Sequence, residues 1–387
     1  MTEQSNSRRH FFKTSLLAGA GLTLGVRLSQ ALADDAPVAG PGEAGSTALK
    51  QGLFAPNAFI RIAPDNTVTV IIKHLEMGQG TYTGLTTLVA EELGADWSQM
   101  RAEGAPADTE TYKNLAFGSM GTGGSTSMAN SYLQMRQAGA AAREMLKRAA
   151  ARQWGVDERK VTVSNGVLSH AGAGFSASFG EMAELAAGMP VPENVTLKNP
   201  EDFVLIGKNN LTRLDSEAKS TGKAIYTQDI QLPDMLVAVV AHPPRFGAAV
   251  QSVDDSGARA IRGVVNVVQY PNGVAVLAND FWSAKKGRDA LEISWDTSKT
   301  PPLDSEALMA RYKSLARLPG VKTTSAGDVD AALKGAAQVI SAGYEFPYLA
   351  HAAMEPLNCV AQITDAGCEI WNGEQFQGID KPSIAAV

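Results

Sequence analysis

The sequence predicts a multidomain α+β chain, and three patterns carry that reading. Short alternating apolar stretches pair through turn residues, at Pro64-Asp65-Asn66 and at Asn165-Gly166. One long stretch, 127–154, places Met128, Tyr132, Met135, Gly139, Ala142, Leu146 and Ala149 at three- and four-residue steps, the period of a helix with one packed face. The pattern then changes near Leu211 and breaks again at Thr300-Pro301-Pro302, which marks separate segments.

Each element has its local reason. Ser7-Arg8-Arg9-His10-Phe11-Phe12-Lys13, an apolar run from Leu16 to Val26 and Ala31-Leu32-Ala33 read as a twin-arginine signal peptide over 1–33. The run is shorter than the roughly 20 residues a membrane span needs. Residues 34–56, rich in Ala, Gly and Pro, read as a linker. A first domain, 57–210, opens with strands Phe59–Ile62 and Val68–Ile72, a helix from Thr83 to Leu93 and the long helix. It closes with the Asn165-Gly166 hairpin, a short helix capped by Ser178 and a loop from Pro190 to Pro200. A second, 211–298, holds strands at 235–241, 264–269, 274–277 and 291–295, with helices at 256–261 and 281–290. A connector, 299–338, carries a helix from Asp304. A third segment, 339–387, starts with a strand over Val339–Phe346 and a hairpin over Asp365-Ala366-Gly367, and ends as a new helix begins.

Composition narrows the function classes. The chain has 387 residues, is 44% hydrophobic and 19% charged, and so can bury a core in two or three domains. A net charge of −6 argues against a nucleic-acid partner. Two cysteines, Cys359 and Cys368, exclude an iron–sulfur cluster held by four cysteines of this chain. Export permits a disulfide between them, but folding before export favours a free pair.

Two glycine-rich loops that open helices are the candidate site. They are Glu76-Met77-Gly78-Gln79-Gly80 and Gly118-Ser119-Met120-Gly121-Thr122-Gly123-Gly124-Ser125-Thr126-Ser127. Glycine admits close backbone approach, and a helix start offers free N–H groups to an anion such as phosphate. Gln79 and the hydroxyls of Ser125, Thr126 and Ser127 add donors and acceptors. Plain turns are the competing explanation. So is a dinucleotide site at Gly78-Gln79-Gly80-Thr81-Tyr82-Thr83-Gly84, although the strand before it reads as the second arm of a hairpin and not as the first strand of a βαβ unit.

These residues resemble the molybdenum hydroxylase family, most of all the large molybdopterin-binding subunits of isoquinoline 1-oxidoreductases and periplasmic aldehyde dehydrogenases. The likeness rests on Glu76–Gly80, on Thr122–Ser127, on Thr221-Gly222-Lys223-Ala224-Ile225-Tyr226 with Asp229-Ile230, and on His351–Pro356 with Asn358. It implies a molybdopterin-binding α/β domain with an α/β-hammerhead domain at 211–298. Residues 339–387 would begin a further molybdopterin-binding domain. In xanthine dehydrogenases the Met-Gly-Gln-Gly loop follows the hammerhead; here it comes first, as in the isoquinoline branch.

The resemblance implies molybdopterin cytosine dinucleotide as cofactor. Met77, Gly78, Gln79 and Gly80 would hold the pterin, and Thr122, Gly123, Gly124, Ser125 and Ser127 the phosphate end. Gln375 matches the glutamine beside molybdenum, with an ordinary polar residue at a strand end as the equal alternative. The implied reaction is hydroxylation of an aldehyde or N-heterocycle carbon with water as oxygen source. Electrons would pass to a small [2Fe–2S] subunit and on to a cytochrome c, in the periplasm and attached to the inner membrane through a partner. His351 and Glu355 are expected to fix the start of a domain. The family's Gly-Glu general base has no counterpart: Glu181 and Glu374 follow glycines without its context. No catalytic residue or metal ligand is therefore assigned, and the chain resembles the N-terminal part of a longer protein, inactive by itself. A non-catalytic cofactor-binding module and an NADP-binding oxidoreductase are the alternatives.

Overall fold

The computed structural model describes residues 54–208, 211–301 and 304–387. The signal peptide and all but the last residues of the linker lie outside them. Two compact units make up the fold: one runs to Thr227 and takes in Ala361–Val387, and the other is Gln228–Val360.

In the first unit, β1 (Phe54–Asn57), β2 (Ile60–Ile62), β3 (Val68–Ile72) and β4 (Met100–Gly104) form one sheet in that order. The end of the expected linker is thus a strand. Pro56 lacks an N–H and is tolerated because β1 is an edge strand with an irregular register. β2 and β3 are antiparallel, as the turn at 64–66 predicts, but β3 and β4 are parallel, with Val70 beside Ala102. Helix α1 (Thr81–Leu93) connects them. β3 is therefore both the second arm of a hairpin and the first strand of a βαβ unit, which corrects the sequence reading. Met100-Arg101-Ala102-Glu103-Gly104 lacks the β-branched run that would have announced a strand.

A one-turn helix α2 (Thr109–Tyr112) precedes α3 (Thr126–Trp154). Along α3, Met135, Gly139, Ala142, Leu146 and Ala149 are buried as the spacing predicts, while Met128 is exposed. A Cβ on Gly139 would lie 2.6 Å from the Val89 carbonyl oxygen, so this glycine sets how closely α1 and α3 pack. A meander of β5 (Thr162–Ser164), β6 (Val167–His170) and β7 (Phe175–Ser178) follows. Asn165 and Gly166 both take positive φ at its first turn, 49° and 74°. Ser178 and Glu181 form a reciprocal cap on α4 (Phe179–Ala187). Ile60, Ile62, Val68, Leu85, Leu93, Met135, Leu146 and Phe179 sit in the continuous core.

Two carboxylates inside α1 are fully buried and pin an irregular segment to the helices. Glu91 accepts from the N–H groups of Val204, Leu205 and Ile206 and from Lys198. Glu92 pairs with Arg136 at 2.7 Å and with Arg143 at 3.5 Å, and accepts from the Lys198 N–H. The short helix α5 (Ser216–Ser220) ends this stretch. Residues 211–227, read as the start of the second domain, belong to the first unit.

The second unit contains β8 (Val237–Ala241), β9 (Ala249–Asp254), α6 (Ser256–Arg259), β10 (Val264–Tyr270), β11 (Gly273–Ala278), α7 (Phe281–Asp289) and β12 (Glu292–Asp296). β10, β11 and β8 form one antiparallel sheet, and β12 pairs with β9. β9 escapes the sequence reading, because its half-polar Gln-Ser-Val-Asp run gives a weak strand signal, and so does the helix at Val329–Gly335. Asp304 caps α8 (Ser305–Leu315), and Asp328 caps α9 (Val329–Gly335). Val339–Phe346 is not a strand. Among the described residues no strand pairs with this segment, and Val339, Ile340, Tyr344 and Phe346 are exposed.

β13 (Cys359–Thr364) and β14 (Gly367–Asn372) form the expected hairpin, and α10 (Gln377–Ala385) ends the chain. Both cysteines are free. Among the described residues no helix is long and apolar enough to cross a membrane.

Candidate functional site

The first loop, between β3 and α1, is closed by its own side chains. Glu76 turns its carboxylate onto the loop and accepts from the N–H groups of Gly78 (2.7 Å), Gly80 (3.1 Å) and Tyr82 (3.0 Å). Burial works to raise its pKa, but the N–H groups of Tyr82, Gly80 and Gly78 outweigh it and hold the carboxyl below its ordinary value. Gln79 accepts from the Met77 N–H and donates to the Leu75 carbonyl. Arg213 donates to the Gly78 carbonyl and to Glu76, and is itself paired with Asp215. Met77 is about half exposed, at 51%. The start of α1 is therefore already occupied by a carboxylate of the protein. A dinucleotide phosphate at Gly78–Gly84 would have to displace Glu76, so the βαβ geometry does not rescue that reading.

The second loop is built differently. Asn114 donates to the Gly121 carbonyl and to Thr126 Oγ1, while Thr126 donates to the Gly123 carbonyl. Gly124 and Ser125 are exposed, and Ser125 takes a left-handed φ of 54° at the start of α3. No side chain caps that helix. Its first turn thus offers the N–H groups and partial positive charge that Glu76 consumes in the first loop. Ser127, half-buried, lies in the same turn.

Thr122 joins the pieces. Its hydroxyl accepts from the Leu75 N–H at 2.8 Å, which ties the second loop to the first. Its N–H donates to the Gln375 carbonyl at 2.7 Å, and its carbonyl accepts from Gln375 Nε2 at 3.0 Å. Phe376 packs its ring 6.2 Å from that of Phe117 beneath Gly121 and Gly123. Gly378 comes so close that a Cβ there would lie 2.7 Å from the Met120 nitrogen. Beside this clasp, burial and then the neighbouring Asp380 push the Glu374 carboxyl up to about 7.

Lys73 and His74, at the end of β3, form the floor. Lys73 is 1% exposed and donates to Gln134 Oε1 (2.6 Å), Asn130 Oδ1 (3.2 Å) and the Lys113 carbonyl (3.3 Å). Burial lowers its pKa to about 8. His74 shares a hydrogen bond with Ser131, and burial followed by the Lys73 charge brings it down to about 4.

All the residues expected to hold the cofactor thus lie in the first unit, and Thr122 links both loops to Gln375 across 253 positions. His351 stands apart, exposed in the second unit, while Glu355 accepts from Asn358. Among the described residues no cluster of His, Cys, Asp and Glu is built to hold a metal ion. Sequence reading missed Arg213, Asn114, Lys73 and Phe376. Arg213 and Asp215 stand two apart in an unpatterned stretch, and only their fold position brings them to the loop.

Residues 8–232 match the molybdopterin cofactor-binding domain family. The chain is 33% identical to a membrane-bound aldehyde dehydrogenase (pyrroloquinoline-quinone) of Gluconacetobacter polyoxogenes, over 99% of this chain and 49% of that one. It is 30% identical to the beta subunit of isoquinoline 1-oxidoreductase of Brevundimonas diminuta, over 90% of this chain and 50% of that one. A nicotinate dehydrogenase subunit of Pseudomonas putida is 31% identical, over 90% and 29% respectively. The chain therefore spans about half the length of the first two relatives. The match over residues 8–232, more than half of the chain, together with these relatives, places it in the molybdopterin cofactor-binding domain family of the molybdenum hydroxylases.

Proposed function

We propose that the chain is part of the large subunit of a molybdenum-dependent oxidoreductase. The reaction is hydroxylation of an aldehyde or N-heteroaromatic carbon, with water as the oxygen source. The observation that carries this reading is the Thr122 clasp, which gathers both loops and Gln375 around an uncapped helix start. The cofactor form is molybdopterin cytosine dinucleotide. Met77, Gly78, Gln79 and Gly80 would hold the pterin through the exposed face of their loop, the N–H groups of Met77, Gly78 and Gly80 being already bonded to Gln79 and Glu76, and Gly123, Gly124, Ser125 and Ser127 would be the cradle for its phosphates. Gln375, with its Oε1 and second amide hydrogen unused in the bonds to Thr122, faces the metal end. When bound, the cofactor supplies the two-electron redox chemistry; the protein binds and orients it. The open surroundings of Gly78 and Gly118, where a Cβ would meet nothing within 4 Å, fit a bulky group.

Residues 228–298, the part of the expected hammerhead segment that lies in the second unit, are proposed to be the hammerhead domain. The electron path leads to a small [2Fe–2S] subunit and a cytochrome c, and the site of action is the periplasm. The test is metal and nucleotide analysis of the chain produced in a host that makes the cofactor. About one molybdenum and one cytidine nucleotide per chain are expected after acid release. Absence of both would sink the reading. For export, changing Arg8 and Arg9 together to lysine should leave the protein in the cytoplasm. Unchanged periplasmic delivery would remove the twin-arginine assignment.

A further inference from the structure

Lys73 is a buried ammonium without an acid. Its three N–H donors meet three neutral oxygens, from Gln134, Asn130 and the Lys113 carbonyl. Among the described residues it makes no ion pair with a carboxylate. By contrast Arg136 and Arg143 on α3 both meet Glu92, and Lys198 meets Glu91. His74 beside it is held neutral near pH 7. Burying a charge without an opposite one is costly, and such groups gather at functional sites. Lys73 sits where that charge has a use. Asn130 and Gln134 lie four and eight residues into α3 from Thr126, and Asn130 also holds the Thr126 carbonyl. At about 1.5 Å of rise per residue these two partners, and the ammonium held by them, lie roughly 6–12 Å along the axis from the exposed helix start.

We propose that Lys73 is the counter-charge of an anion bound at the start of α3, raising affinity for a phosphate or pyrophosphate without touching it. All three of its protons are committed to Gln134, Asn130 and Lys113, so it acts through its field and not as a ligand. Across roughly 8–12 Å of protein with an effective dielectric constant near 20, one unit charge changes affinity by roughly ten- to thirtyfold. The inference rests on reading the α3 start as the phosphate cradle.

The experiment titrates inorganic pyrophosphate into the full chain by calorimetry at pH 7. Gln134→Glu is the decisive variant. It keeps the side-chain shape, places a carboxylate against the ammonium and neutralises it in place. It is expected to bind pyrophosphate at least tenfold more weakly than wild type while unfolding at the same temperature or higher. Lys73→Gln should lose affinity similarly. The exchanged pair Lys73→Gln/Gln134→Lys returns a cation to the same spot from the opposite wall and should recover most of the binding, which a purely structural role for Lys73 does not predict. Binding by Gln134→Glu as tight as wild type overturns the proposal even if wild type binds well. Failure of wild type to bind pyrophosphate at all removes the cradle itself, and the proposal with it.

Discussion

Glu92→Ala is expected to lower stability by about 3–5 kcal/mol, the usual cost of stripping one partner from a buried ion pair. Glu92 has no exposure, and its loss leaves Arg136 and Arg143 without their carboxylate. Arg136 also lies over the Phe203 ring and donates to the Lys198 carbonyl, so the damage extends to the 196–206 segment. Urea unfolding checks it. The exposed pair Lys219–Asp215 is the control, since Lys219→Ala should cost no more than about 1 kcal/mol. Equal effects in the two variants would contradict the burial argument. Glu91 adds a pH dependence. Burial works to raise its pKa, but Lys198 and the N–H groups of Leu205 and Ile206 outweigh it, and the folded value is depressed. Its contribution is therefore complete above the unfolded value of about 4.3 and is lost as pH falls through the lower folded one. In Glu91→Gln that acid-side slope should flatten.

Glu76→Ala is expected to empty the first loop while leaving the fold intact. Three N–H groups lose their acceptor and Arg213 loses one of its two acids. Each unsatisfied donor costs about 1–3 kcal/mol unless water reaches it, and this loop is open enough for water. Global stability should thus fall little, while hydrogen exchange at Gly78, Gly80 and Tyr82 rises sharply. On the proposed function, molybdenum content should fall at least tenfold, because the loop then has to be ordered by the cofactor itself. Acetate in the growth or loading medium should restore part of it by taking the place of the lost carboxylate. Unchanged exchange at the three amides would show that Glu76 does not hold the loop.

Much of this was legible in the sequence because local chemistry agreed with the fold. The α3 face, the Asn165-Gly166 turn, the Ser178 cap and the hairpin of β13 and β14 all follow from short-range pattern. What failed was long-range. β4 exists because β3 offers it a parallel neighbour, not because 100–104 is a strong strand former. Val339–Phe346 has the apolar pattern of a strand but no neighbour, and stays irregular. In the site, the glycines and hydroxyls announced two loops. The role of Glu76 as an internal anion did not follow from the motif, since a carboxylate within a glycine run reads as a ligand-facing group. Gln375 was placed at the site by likeness alone, and only the fold brings it to Thr122.

The Thr122–Gln375 clasp also dictates a sequence of events during synthesis. Its two halves are 253 residues apart, and all of the second unit emerges from the ribosome between them. The loops at 75–80 and 118–127 must wait, for tens of seconds at ordinary elongation rates of about 5–20 residues per second, before the segment that braces them exists. During that interval the Gly121 and Gly123 face lacks Phe376, and the α3 start is at its most open. A nascent chain therefore passes through a stage in which this face is uncovered, and closure of the clasp ends it. Shortening or refolding the intervening unit would change how long that stage lasts without altering a single atom of the clasp.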